Sequence, residues 1–91
     1  MIGQDSRPAP AHGVLAQRSA ETMILLRPVN GQYYTLDEVG ARVWELCDGT
    51  RCVADLVSTI QAEYDAPADM IEADILDLLD ELTREQLVAA G

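Results

Sequence analysis

The sequence predicts an α+β fold, a three-stranded antiparallel sheet followed by three helices. Three observations carry this. Residues 14–36 hold short runs rich in apolar, aromatic and β-branched residues. An Asn30-Gly31 pair separates two of those runs. From Asp37 onward the apolar residues recur at spacings of three and four, the period of a helix.

The strands come first. Val14–Gln17 is the first candidate and Thr22–Leu26 (TMILL) the second, compact and apolar. Tyr33–Leu36 (YYTL) is the third. Asn30-Gly31 is the strongest short hairpin signal, because both residues tolerate positive φ. Pro28, just before it, has no N–H to give a ladder and suits a strand end or an edge.

The helices follow. Asp37 is a good N-cap for a helix from Glu38, in which Val39, Val43, Leu46 and Cys47 form one apolar stripe with Trp44 beside it. Gly49 in Asp48-Gly49-Thr50 stops that helix. A second helix runs from about Cys52 to Tyr64, with Val53, Leu56, Val57, Ile60 and Tyr64 on one face. Pro67 suits the entry of a third helix, from about Ala68 to Arg84, whose core stripe reads Ile71, Ile75, Leu78 and Leu82. Leu87 and Val88 return to close the core. Three short strands cannot bury a face alone, so the helices must cover one side. The result is a winged-helix-like domain over residues 14–91, preceded by a flexible tail over residues 1–13 that carries the lone His12.

A chain of 91 residues has room for one small core, and none for a cofactor domain beside a substrate domain. Its net charge of -10 argues against nucleic acid and against anionic membranes, both of which need clustered positive charge. No apolar run reaches the roughly 18–20 residues of a membrane helix, and the N-terminus lacks the apolar centre of a signal peptide. A cytoplasmic location is expected.

Catalytic means are sparse. The one histidine lies in the expected tail, which leaves Ser-His and Cys-His pairs poorly supplied. Cys47 and Cys52 have no second cysteine pair to complete a zinc site, and Cys47 falls on an apolar helix face, as structural thiols do. No calcium-loop pattern occurs. No metal and no cofactor are expected. The acidic residues concentrate after residue 64, where Asp65, Asp69, Glu72, Asp74, Asp77, Asp80, Glu81 and Glu85 face Arg84 alone. They make either a solvated face or a surface for a cationic peptide.

A more specific feature is the third strand. Gln32-Tyr33-Tyr34-Thr35-Leu36 carries neither charge nor proline, the usual blunting devices of an edge. An open edge beside an acidic, Leu/Ile-rich helix is the layout for β-strand addition of a peptide. Beside the expected core stripe of the third helix runs a second row, Met70, Asp74, Asp77 and Glu81, polar except for the methionine. That row either walls a groove along the third strand or is a plain solvated face.

The run Gly31-Gln32-Tyr33-Tyr34-Thr35-Leu36-Asp37-Glu38-Val39-Gly40-Ala41-Arg42-Val43-Trp44-Glu45-Leu46 resembles the opening of PqqD-like proteins. Asp48-Gly49-Thr50, Val53-Ala54-Asp55-Leu56-Val57, Tyr64-Asp65 and Asp74-Ile75-Leu76-Asp77-Leu78-Leu79 follow in that family's order, so that the resemblance spans about residues 14–90. The cysteines flanking Asp48-Gly49-Thr50 and the tail depart from it. The resemblance implies a non-catalytic recognition element for ribosomally made, post-translationally modified peptides. Such a domain captures the leader segment of a precursor as an added strand. The implied contacts are Gln32, Tyr33, Tyr34, Thr35 and Leu36 on the third strand, and Met70, Ile71, Asp74, Ile75, Asp77 and Leu78 on the third helix. The stand-alone length looks most like discrete leader-binding proteins of lasso-peptide biosynthesis. Their partners are a separate transglutaminase-like leader peptidase and a cyclase. Pyrroloquinoline quinone synthesis is the alternative within the family.

Two other classes compete. A winged-helix transcription factor needs a basic recognition helix, but the second helix has only Arg51 at its start and the third only Arg84 at its end. An acyl-carrier-like protein needs a prosthetic-group serine after Asp at a helix start, and Ser58 lies within Val57-Ser58-Thr59 inside a helix.

Overall fold

The computed structural model describes residue 3 and residues 5–89. Its elements are β1 (Ala9–Pro10), β2 (Leu15–Ser19), β3 (Thr22–Arg27), β4 (Gln32–Leu36), α1 (Glu38–Leu46), α2 (Val53–Glu63), α3 (Ala68–Arg84) and β5 (Val88–Ala89). β2, β3 and β4 form an antiparallel meander in that order, so β2 and β4 are its edges. The Asn30-Gly31 turn joins β3 to β4 in the expected place, with Gly31 at φ 71°. Arg27 opposes Gln32, Leu26 Tyr33, Leu25 Tyr34, Ile24 Thr35 and Met23 Leu36.

One face of the meander packs on the helices. Met23, Leu25 and Leu36 meet Ala41 and Trp44 of α1, Leu82 of α3, and Leu87 and Val88. A second cluster lies among the helices themselves, where Val43, Leu46 and Cys47 pack on Val53, Leu56, Val57 and Ile60 and on Ile71, Ile75 and Leu79. Asp37 caps α1 through its carboxylate, which accepts the Gly40 N–H at 2.8 Å. Gly40 suits this close approach of helix to strand, since a Cβ there would stand 3.3 Å from that of Leu36.

Two stripes differ from the expected ones. On α1, Val39 stands exposed, and Gly40, Ala41 and Trp44 take the buried positions beside Val43 and Leu46. The helix has core on two sides, sheet and α2, so its buried arc is wider than one stripe. On α3, Leu79 and not Leu78 enters the core with Ile71, Ile75 and Leu82. Leu78 is half-buried, turned toward the strand edge.

The expected tail is also corrected over residues 6–11. Ala9–Pro10 pairs with Val88–Ala89, and the Ala11 N–H donates to the Leu87 carbonyl at 3.0 Å. The Ser6 and Pro8 carbonyls accept the N–H groups of Val53 and Gly49, each at 3.0 Å, and Pro8 is fully buried. Val53 opens α2, so the strap satisfies a donor that no helical carbonyl can reach. The segment shows no apolar period because backbone hydrogen bonds and one proline ring hold it, rather than a hydrophobic face. His12 is exposed. Residues 1, 2 and 4 of the expected tail lie outside the described residues.

Candidate functional site

The backbone of β4 decides what its edge can offer. Ser19 and Thr22 flank a two-residue turn, Ala20-Glu21, with Ala20 at φ 47°. Such a turn closes on a hydrogen-bonded pair, and hydrogen-bonded and open pairs alternate from there. Thr22, Ile24 and Leu26 therefore bond toward β2, and Met23, Leu25 and Arg27 toward β4. Their partners Leu36, Tyr34 and Gln32 are engaged in the ladder. The N–H and C=O groups of Tyr33 and Thr35 point out from the free edge.

Beside this edge lies a cavity of about 350 Å³. Tyr34, Thr35 and Leu36 line it from β4, Asp37, Val39, Gly40 and Val43 from the start of α1, and Asp74, Ile75 and Leu78 from α3. The walls are largely apolar, with carboxylates at Asp37 and Asp74 that are both exposed. No histidine, cysteine or serine lines the cavity; its polar side chains are the Tyr34 and Thr35 hydroxyls and the Asp37 and Asp74 carboxylates. Among the described residues, no group of three or more metal-ligating side chains comes together, and no helix is long and apolar enough to cross a membrane. A second hollow, of about 390 Å³, lies on the outer sheet face among Leu15, Ala16, Gln17, Ile24 and Leu26. It has no titratable side chain.

Of the expected contacts, Tyr34, Thr35, Leu36, Asp74, Ile75 and Leu78 come together around one cavity. The rest do not line it. Tyr33 points to the outer face at 71% exposure and contributes backbone only. Met70 and Asp77 are exposed elsewhere on α3, and Ile71 belongs to the helical core. Gln32 sits at the hairpin end, where its Nε2 donates to the Glu85 carboxylate. Asp37, Val39, Gly40 and Val43 of α1 and its cap also line the cavity, beyond the expected contacts. The signal in the sequence is Val39, an apolar residue two positions after the Asp37 cap that stands exposed outside the buried face of α1.

Burial raises the pKa of two side chains, Tyr34 and Cys47. Burial, and then a hydrogen bond to Glu81 with the charges of Glu81 and Glu85, push the Tyr34 phenol up to about 12. Away from the cavity, burial and the neighbouring Asp48 charge push the Cys47 thiol up to about 12, so it stays protonated. Both cysteines are free.

Residues 22–88 match the family described as Coenzyme PQQ synthesis protein D (PqqD). The chain belongs to the PqqD family. A PqqA binding protein of Xanthomonas axonopodis pv. citri (strain 306) is 38% identical over 89 residues, covering 96% of this chain and 95% of that protein. A PqqA binding protein of Xanthomonas oryzae pv. oryzae (strain KACC10331 / KXO85) is 37% identical over the same share. Among solved structures, TbiB1 in complex with the TbiA(beta) leader peptide is 29% identical with a TM-score of 0.80, over 88% of this chain and 93% of that one. Lasso peptide synthetase B1 complexed with the leader peptide shares the fold, with a TM-score of 0.81 at 19% identity over 91% and 98% of the two chains. The meander followed by three helices is thus the fold of this PqqD-family chain and of both neighbours.

Proposed function

We propose that this PqqD-family protein is a non-catalytic binding protein that captures the leader segment of a ribosomally made precursor peptide and presents it to processing enzymes. The observation that carries the reading is the free β4 edge, with Tyr33 and Thr35 backbone groups unpaired, beside a cavity walled by α1 and α3. An extended peptide would pair with those groups and place one large apolar side chain against Val39, Val43, Ile75 and Leu78. Asp74, exposed at the rim, would attract a cationic residue of the same peptide. The names of its relatives, each a binding protein, and of its leader-peptide-bound structural neighbours support this reading.

The pathway we favour is lasso-peptide biosynthesis in the cytoplasm, with a separate transglutaminase-like peptidase and a cyclase as partners. The resemblance of the run Gly31–Leu46 to discrete lasso-peptide leader-binding proteins supports it, and the likeness to TbiB1 bound to a leader peptide supports leader capture. Precursor binding in pyrroloquinoline quinone synthesis is the second reading, favoured by the 38% identity to a PqqA binding protein over 96% of the chain. One experiment tests both. Fluorescently labelled TbiA(beta) leader and Xanthomonas PqqA are titrated separately into the protein. Saturable binding of the first alone supports the lasso pathway, and of the second alone the quinone pathway. Mass spectrometry should find either peptide unchanged after incubation. Binding of neither, or a mass change without any enzyme added, would overturn the proposal.

A further inference from the structure

Among the described residues, no charged side chain of β2, β3 or β4 lies on the outer face of the meander. Leu15, Leu26 and Tyr33 form one cross-strand row there, and Gln17, Ile24 and Thr35 the next. Arg18 opposes Met23, and Arg27 follows Leu25 by two, so the two charged residues of these strands fall on the other face. Leu15, Ile24, Leu26 and Tyr33 all stand exposed, in a chain whose net charge is -10. Such a face marks a contact surface. Tyr33 is the most exposed of the four and stands on the open edge itself.

A strand added at β4 bonds to the outward N–H and C=O groups of Tyr33 and Thr35. Residues directly opposite one another in a ladder carry their side chains on the same face. The two peptide residues paired with Tyr33 and Thr35 therefore point to the outer face, and their neighbours point to α3 and the cavity. We propose that the leader is read on both faces, and that the residue paired with Tyr33 is aliphatic or aromatic and lies against the Tyr33 ring. This rests on the capture reading given above. The Cβ atoms of such a pair stand about 4.5–5.5 Å apart, within reach of the ring. The peptide side chain extends the row Leu15–Leu26–Tyr33 by one strand and takes part of the ring out of water. A charged side chain at that position finds no opposite charge on this face. The cavity and the ring lie on opposite sides of one peptide backbone. The leader residues that they read are thus an odd number of positions apart.

The test titrates the TbiA(beta) leader and Xanthomonas PqqA into wild type, Tyr33→Phe and Tyr33→Thr. Threonine removes the ring and suits a strand, and urea unfolding checks each fold. Tyr33→Phe should bind as wild type does, and Tyr33→Thr should raise Kd about two- to fivefold. Val29→Ala, which trims an exposed apolar residue of the hairpin turn, should change nothing. Alanine-scanned peptides then locate the position whose loss is coupled to Tyr33→Thr and the position coupled to Leu78→Ala. An odd separation is expected. Unchanged affinity in Tyr33→Thr, an equal loss in Tyr33→Phe or Val29→Ala, or an even separation overturns the outer contact and leaves capture standing. Failure of wild type to bind either peptide overturns both.

Discussion

Proline at position 35 separates the free edge of β4 from its ladder. The Thr35 N–H points outward, and the Tyr34 N–H is committed to β3 through the pair with Leu25. Thr35→Pro removes one donor offered to a peptide and leaves the meander's own bonds in place, as edge positions tolerate. A backbone hydrogen bond of this kind contributes about 1 kcal/mol net, which is about fivefold in Kd. The carbonyl it leaves behind on the peptide stays open to water, so the loss should not greatly exceed tenfold. Tyr34→Pro acts on the fold instead. It breaks the pair with Leu25, which is fully buried, and should cost several kcal/mol, on the order of the ~3 kcal/mol of an interior helix proline. Thr35→Val, which keeps the N–H, should bind as wild type does. The assay is leader titration, with circular dichroism and urea unfolding to show that each variant folds. Wild-type affinity in folded Thr35→Pro, or an equal loss in Thr35→Val, would mean that no strand pairs here.

Four further outcomes follow from the same geometry. Leu78→Ala empties part of the cavity wall and trims a half-buried side chain that packs on both core clusters, so it should weaken peptide binding about tenfold at a stability cost of about 2 kcal/mol, the low end for a buried leucine, read by titration and urea unfolding. Asp74→Asn should weaken binding a few-fold at low salt and less at high salt, and Asp77→Asn, exposed outside the cavity, should not; equal losses would leave net charge as the whole effect. Gly49 sits at φ 85°, where a side chain is strained, so Gly49→Ala should destabilise by about 1 kcal/mol while keeping the N–H that holds the strap, measured by denaturant midpoint. Burial raises the Cys47 thiol from 9.0 to about 12, so the unfolded chain gives up that proton first as pH rises. The contribution of Cys47 is therefore constant below pH 9 and is lost between 9 and 12, so stability should fall across that window, and by less in Cys47→Ala.

Much of the fold is legible in the chain because local signals agree with the global arrangement. Asn30-Gly31 fixes one hairpin, Asp37 caps α1, and Pro67 marks the start of α3, each by backbone chemistry that needs no tertiary partner. The strap escapes because its partners are distant. Ser6 and Pro8 meet Val53 and Gly49, and Ala9–Pro10 meets Val88–Ala89. A two-residue strand carries no period, and prolines read alone suggest a tail. The hairpin Ser19–Thr22 is similarly quiet, since Ala20 takes positive φ without being glycine or asparagine.

The candidate site is legible in part, and the reason lies in α3. Leu78 and Leu79 are both near the face that buries Ile71, Ile75 and Leu82, and helical spacing permits either one as the fourth core residue. The choice depends on where α2 and β4 lie, which spacing does not contain. The structure gives Leu79 to the helical core, and Leu78 turns toward the strand edge. The same rotation decides the row beside it. Asp74, four residues before Leu78, comes to the cavity, whereas Met70 and Asp77 turn away from it. Val39 follows the same logic on α1: the core takes Val43 and Trp44, and the apolar residue left over borders the open edge. Leu78 and Val39 both line the cavity beside the outward N–H and C=O groups of β4, and neither is fully buried. Substituting them by alanine together should therefore abolish peptide binding before it unfolds the domain. If Val39→Ala/Leu78→Ala loses binding and denaturant midpoint in equal proportion, these residues serve the core and the cavity is not the peptide's seat.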